Sequence, residues 1–121
     1  MTDQYQQQNI NSPKVPRQVT ALPATTQVPL NADDSLVAID SSAALGAFDF
    51  LLPFASEVPG AVITVVASTG AAVPIAPQVQ VGNTLVIPAG LAPATILATN
   101  NATARYQSDG GDNWYMLSSV A

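Results

Sequence analysis

The chain has 121 residues and a formal net charge of -5, with hydrophobic residues at 48% of positions and aromatic residues at only 6%. This length provides one domain at most, and the scarcity of large side chains makes the burial at each core position modest. The sequence contains neither cysteine nor histidine, which excludes disulfides, thiolate nucleophiles and the commonest general base and transition-metal ligands.

Charge is distributed unevenly along the chain. Residues 1–32 carry one acid and two bases, whereas residues 33–121 carry seven acids and one base. The acidic body lacks the basic surface that phosphate binding needs, so we expect no nucleic-acid partner. The N-terminal residues show no signal-peptide pattern, and prolines and glutamines interrupt the uncharged segment between Glu57 and Arg105. The sequence therefore predicts synthesis in a cytoplasm and no membrane partner.

Residues 1–32 are rich in Gln, Asn, Thr and Pro and are predicted to form an extended N-terminal arm. Pro13, Pro16, Pro23 and Pro29 fix their own φ and push the preceding residues toward extended geometry, which excludes a helix. Such a segment has too little apolar surface to offset its ordering entropy. The arm therefore either wraps around its own body or lies in a groove of a larger assembly, and we favour the groove.

Short apolar runs alternate with turn signals over residues 33–121, about one turn signal every ten residues. This cadence predicts an all-β domain, a small antiparallel β-sandwich or barrel of jelly-roll type. No tandem repeat of fixed period is found, which disfavours a solenoid. The one helix candidate is a single turn at 40–45. The predicted strands are residues 35–40, 45–52, 61–67, 71–76, 84–88, 95–99, 102–107 and 113–117.

The run AVITVVA at 61–67 is apolar at nearly every position. A strand of a lone two-layer sandwich leaves one face wet and prefers alternation of apolar and polar residues. Burial on both faces predicts that a second copy of the chain covers the outer side of this strand.

The stretch SDGGD at 108–112 predicts the reversal of a closing hairpin between the strands ATARYQ and NWYML. Gly110 and Gly111 can take the positive φ that tight hairpin loops need. Asp109 and Asn113 can bond nearby backbone amides. We therefore interpret this polar cluster as turn chemistry.

Two interpretations remain for the aromatic residues of this hairpin. Tyr106, Trp114 and Tyr115 are predicted to make cross-strand contacts that hold the strand register. In the alternative, Trp114, Tyr115 and Asp109 form a platform for a sugar. Structural closure is the favoured interpretation.

Three motifs carry a resemblance to a known group of proteins. They are PGAVITVV at 59–66, GNTLVIPAG at 82–90 and SDGGDNWY at 108–115. Together they resemble the last strands of small β-domains in virion proteins of tailed bacteriophages, over roughly residues 53–117. The usual ending has one residue between SDG and NWY, whereas this chain has Gly111 and Asp112. The resemblance implies a homotrimer without enzymatic activity that an N-terminal segment mounts on a capsid or tail.

Among such proteins, we expect a head decoration (cement) protein on the capsid surface, because the chain is too short for a fibre. The alternative is a neck, tail-tip or fibre-head module that recognises a host glycan. Tyr106, Trp114 and Tyr115 would pack the hairpin within the trimer, and deletion of residues 1–32 should leave a soluble trimer that no longer binds empty heads. The arm residues expected to contact the major capsid protein are Lys14, Val15, Arg17, Val19, Leu22, Val28 and Leu30.

Catalytic and metal-binding alternatives find little support in the residues. The adjacent Asp33 and Asp34 after Asn31 are typical of a turn rather than a glycosidase pair. The loop at 108–113 lacks the remaining acids of a calcium-binding pattern. We therefore predict no enzyme, no metal, no cofactor and no small-molecule substrate. Arg105 is expected to pair with Asp109, Asp112 or an acid of a neighbouring copy.

Overall fold

The computed structural model describes residues 16–21, 26–42, 48–68, 75–89, 91 and 102–120. Within these ranges the chain forms nine strands and one short 3₁₀ helix, Ala55–Glu57, so the β-rich class predicted from the sequence is confirmed. None of the helical residues described forms a segment long and apolar enough to cross a membrane. The strands are β1 Arg17–Thr20, β2 Gln27–Pro29, β3 Leu36–Asp40, β4 Phe48–Leu51, β5 Val62–Ala67, β6 Ile75–Gln78, β7 Thr84–Val86, β8 Thr103–Ser108 and β9 Asn113–Val120.

Successive strands from β1 to β6 alternate between two sheets. Strands β1, β3 and β5 lie side by side in a six-stranded sheet of order β1-β3-β5-β8-β9-β7, while β2, β4 and β6 form a three-stranded sheet. All neighbours among these six strands are parallel. The chain thus winds through three coils, each of which adds one strand to each sheet. The antiparallel hairpin β8–β9 continues the larger sheet beyond β5, and β7 pairs parallel with β9 at its edge.

The predicted antiparallel arrangement is therefore wrong for the coils, and the coiled winding that the sequence disfavoured is present. Facing residues are 20 positions apart between β1 and β3 but 28 apart between β3 and β5. In the smaller sheet the corresponding spacings are 22 and 27. Because the coils differ in length, the sequence shows no repeat of fixed period. In strands this short, the neighbouring residues also do not indicate whether the strand pairs in parallel or antiparallel.

The two sheets face each other across one core. In β5 the residues Ile63, Val65 and Ala67 point inward and are fully buried. The ring of Phe50 in β4 lies 5.8 Å from the ring of Tyr106 in β8, which joins the sheets through an aromatic contact. Small aliphatic side chains therefore fill most of the core, and its largest buried side chains, Trp114 and Tyr106, belong to the closing hairpin.

The described part of the predicted arm belongs to this fold. Strand β1 pairs with β3, and β2 pairs with β4, residue by residue. The backbone N–H of Leu30 donates to the carbonyl of Leu51 at 2.8 Å, and the Leu30 side chain lies in the core. These residues are thus held by strands of their own chain and not by the groove of a larger assembly, which the sequence favoured. The extended backbone that prolines impose is also what a strand requires, and β3 and β4 offer it open edges.

Some predicted elements lie outside the described residues. The strand predicted at 95–99 and the second half of the helical turn predicted at 40–45 belong to this group. Among the described loops, residues 81 and 82 form a turn before β7, with Gly82 at φ 91°.

Candidate functional site

The closing turn, residues 108–113, is organised by one carboxylate. Asp109 Oδ1 accepts hydrogen bonds from the backbone N–H groups of Gly111 at 2.7 Å and Asn113 at 3.1 Å, and Oδ2 accepts from Asn113 Nδ2 at 3.0 Å. Gly110 supplies the positive φ, 80°. The backbone hydrogen bond from Gly111, followed by the bonds from Asn113, lowers the pKa of Asp109. The predicted turn chemistry is confirmed, although only the first of the two glycines has a positive φ.

The oxygens of Asp109 are engaged by the turn itself rather than directed outward. In the described ranges, no group of three or more acidic side chains is arranged to hold a metal ion. Asp112 contributes through its backbone, since its carbonyl accepts from the N–H of Thr84 at 2.8 Å and connects the turn to β7.

Trp114 anchors the hairpin to the preceding loop. Its side chain is fully buried, and Nε1 donates to the carbonyl of Pro53 at 2.9 Å. Nearby, the buried Ser108 Oγ donates to the carbonyl of Ala55 at 2.6 Å and accepts from the N–H of Gly110 at 3.0 Å. The expectation that Trp114 packs against a neighbouring copy, or stacks on a sugar, is therefore wrong, because the chain's own core already covers the indole.

The other two hairpin aromatics lie on opposite faces of the sheet. Tyr106 is fully buried and its ring partner is Phe50 of the other sheet, not an aromatic residue of the hairpin as predicted. Among the residues that the structure describes, its hydroxyl has no hydrogen-bond partner, and burial raises the pKa of this phenol. Tyr106 is thus unavailable for trimer packing, whereas Tyr115 faces outward and is 38% exposed.

Arg17, predicted to contact the capsid, is paired within the chain. Its Nη1 donates to Asp34 Oδ2 at 2.9 Å and to the carbonyl of Pro29 at 3.2 Å. The same carboxylate oxygen accepts from the N–H of Asn31 at 2.7 Å, which confirms the turn interpretation of Asp34. The side chain of Asp34 is almost buried, so this ion pair ties β1 to the turn that follows β2.

The remaining arm residues divide into two groups. Val19 and Val28 pack partly buried against the core and Leu30 is inside it, so these three face their own body rather than a capsid. Lys14, Val15 and Leu22 lie outside the described residues. The physical reason is that Val19, Val28 and Leu30 gain burial between the chain's own sheets.

The face of the six-stranded sheet turned away from the core, here called the outer face, carries many apolar residues. In β5, Val62 and Val66 point outward and are half-buried, with Thr64 between them. Tyr115 and Leu117 of β9 are 38% and 42% exposed on the same side. The prediction of a strand with two apolar faces is thus met in β5, while the covering copy stays a prediction.

Arg105 stands on this outer face between Thr64 of β5 and Ser118 of β9. It is exposed, and in the part of the chain that the structure describes it forms no ion pair, so the expected pairing with Asp109 or Asp112 of its own chain is absent. Sequence reasoning did not single out Leu117. Leu117 follows the alternation of β9, in which Trp114 and Met116 are buried while Tyr115 and Leu117 are exposed, so the pattern of NWYML could have indicated its outward position.

Among the described residues, the outer face presents apolar side chains, hydroxyls, the carboxamide of Gln107 and the guanidinium of Arg105. A mixture of this kind suits contact with another surface. A scan against models of known protein families found no match, and neither did a search of curated proteins.

Proposed function

We propose that the chain is a non-enzymatic structural protein of a tailed-bacteriophage virion, a head decoration protein. It assembles as a homotrimer on the major capsid protein and strengthens contacts between capsomers. The observation that carries this proposal is the outer face of the six-stranded sheet, which holds Val62, Val66, Tyr115 and Leu117 on the side away from the core. A chain with apolar residues on both faces of its larger sheet gains stability when another surface covers it.

The closing hairpin supports the phage relationship. The motif SDGGDNWY forms a turn that Asp109 organises and that Trp114 attaches to Pro53, so each distinctive residue of the motif has a structural task. Those tasks explain why the same short motif would be kept at the end of small β-domains of this kind. The additional loop residue relative to the common spacing is accommodated by the bond from Thr84 N–H to the Asp112 carbonyl.

Glycan recognition is the weaker alternative for this site. A sugar platform needs an exposed aromatic face, and the indole of Trp114 is fully buried. Tyr115 alone is exposed among the three aromatic residues considered. Adhesion to a protein surface fits the mixture of valine, leucine, threonine and a single arginine better.

The role of the N-terminal segment in this proposal is narrower than the sequence suggested. Residues 17–20 and 27–29 contribute strands to the body, so they do not serve as a free tether. The segment before Pro16, with Lys14 and Val15, is the part that we assign to the capsid. A rim contact through Lys14 would contribute about 0.2–1 kcal/mol and would orient the trimer more than hold it.

The test uses heads of the encoding phage assembled without this chain. Purified chain should cosediment with such heads, and cryo-electron microscopy should show added density in groups of three at fixed surface positions. A variant lacking residues 1–15 should remain folded but lose most of this uptake. Absence of binding to heads, or binding to tails alone, would contradict the proposed position on the virion.

A further inference from the structure

The outer face is a continuous lattice of side chains from five neighbouring strands. One row runs through Val62, Gln107, Tyr115 and Val86, as the register of β5, β8, β9 and β7 requires. A second row runs through Leu36, Thr64, Arg105 and Ser118 of β3, β5, β8 and β9. A third contains Ala38, Val66 and Thr103. Apolar side chains occur in every row, and the middle row holds the charge of Arg105.

The edges of the two sheets are poorly suited to receive another strand. Among the described residues, each of the four edge strands, β1, β2, β6 and β7, contains a proline or lies within two residues of one. Proline lacks the N–H that a further strand would use. These prolines are Pro16, Pro29, Pro77 and Pro88. Association through the outer face is therefore favoured over association through an edge.

Charge indicates what covers this face. Of the two arginines described, Arg17 is paired with Asp34, so Arg105 is the remaining cation on a body with seven acids. Two outer faces related by a two-fold axis near Arg105 would bring like charges together. A head-to-tail ring of three copies instead sets the outer face of one copy against a different, acidic surface of the next copy.

Acids that can meet Arg105 of a neighbouring copy are found at the closing-turn end of the molecule. Asp34, Asp40 and Asp109 accept hydrogen bonds within the chain. Glu57 and Asp112 are exposed. They belong to two segments that are joined by the Ser108 hydrogen bond to Ala55.

The size of the face is consistent with a ring. The five strands contain three to eight residues each and, at about 3.3 Å per residue and about 4.8 Å between strands, cover roughly 400 Å² in plan. A stable interface of standard size buries about 800 Å² per partner, so the outer face alone supplies about half of that area. In a ring each copy buries its outer face against one neighbour and its acidic end against the other, so two contacts hold it where a pair has one.

We propose that the outer face is the copy-to-copy interface, with Arg105 of one copy paired to Glu57 and Asp112 at the closing-turn end of the next. This inference rests on the proposed homotrimer. The partner copy contributes the carboxylates, and the surrounding valines, Tyr115 and Leu117 are covered when the ring closes.

Sedimentation velocity of the purified full chain tests the interface. The unmodified chain should sediment as a trimer, and Arg105→Glu should raise the dissociation constant at least tenfold. The triple variant Arg105→Glu/Glu57→Arg/Asp112→Arg restores opposite charges at every contact and should recover most of the trimer. Leu117→Gln should weaken the trimer, whereas Val81→Ser, at a residue 96% exposed outside the face, should leave it unchanged.

Circular dichroism of each variant separates loss of association from loss of fold. A monomeric unmodified chain at high concentration would overturn the inference, as would an Arg105→Glu variant that is folded and still fully trimeric. Failure of the triple variant to recover would overturn the assignment of the carboxylates. A trimer that does not bind heads would instead contradict the decoration function and leave the interface intact.

Discussion

The three parallel coils and the closing hairpin are stabilised in different ways. The coils join residues 20 to 28 positions apart through main-chain pairing and the burial of small aliphatic side chains. In the hairpin, specific hydrogen bonds connect Asp109, Ser108 and Trp114 to groups in the turn and the preceding loop. The coils thus depend on how the whole chain is wound, whereas the turn is organised mainly by residues within a few positions of each other.

This difference teaches where substitutions should matter. A single side chain of the coils is one of many similar contributors, so the loss of a whole coil is the informative change. In the hairpin, a single residue connects several backbone groups, so point substitutions are informative.

The largest effect is expected from removal of the first coil, β1 and β2. A chain lacking residues 1–32 loses Leu30 from the core and exposes the edges of β3 and β4, so it should fail to fold cooperatively instead of remaining the soluble trimer that the sequence predicted. A chain lacking residues 1–15 keeps both strands and should unfold near the denaturant midpoint of the full chain. Circular dichroism with urea titration measures both. A stable, soluble protein after removal of residues 1–32 would show that the coils are independent of one another.

The second effect concerns the anchor of the hairpin. Trp114→Ala should lower the free energy of unfolding by about 3–5 kcal/mol, because a fully buried large side chain is lost. Trp114→Phe retains most of the apolar volume but leaves the Pro53 carbonyl without its donor, and should cost about 1–3 kcal/mol. Tyr115→Phe, at the neighbouring exposed position, serves as the control and should change little. Equal stability of all three variants in urea would contradict the anchoring role.

A third comparison separates backbone strain from a clash. Gly110 and Gly82 both have positive φ, 80° and 91°, so alanine at either should cost about 1–2 kcal/mol. A Cβ at Gly110 would also lie 3.0 Å from Pro59 Cβ, whereas one at Gly82 would meet nothing within 4 Å. Gly110→Ala should therefore be the more destabilising of the two in thermal unfolding. If Gly110→Ala is no more destabilising than Gly82→Ala, the contact with Pro59 adds no free-energy cost.

The smallest effect is a pH dependence from Asp109. Because the turn lowers the pKa of this carboxylate in the folded state, its contribution is fully present above the unfolded-state pKa of about 3.9 and is lost as pH falls through the lower folded value. Stability of the unmodified chain should therefore decrease in acid, and Asp109→Asn should flatten that decrease. Urea unfolding across this acid range measures the slope. An unchanged slope in the variant would mean that the turn bonds do not stabilise the charged form.

The hairpin could be predicted from the sequence because its determinants are local. SDGGD between two apolar runs specifies a reversal, and the Asp109 side chain accepts from backbone amides as expected. The Asn113 side chain donates to the Asp109 carboxylate instead of bonding a backbone amide. The tertiary role of Trp114 could not be predicted in this way. Its partner Pro53 is 61 positions away, and no pattern near the indole indicates that it turns into the core.

By itself, the sequence determined the β-rich class, the closing turn and the two apolar faces of β5, since these follow from side-chain chemistry within a few residues. Only the tertiary structure decided that strands β1 to β6 alternate between two sheets and pair there in parallel, and that Arg17 and Leu30 belong to the body. Strand direction and partner choice are settled by contacts between distant residues, whose free energy depends on burial in the assembled core and leaves little trace in neighbouring residues.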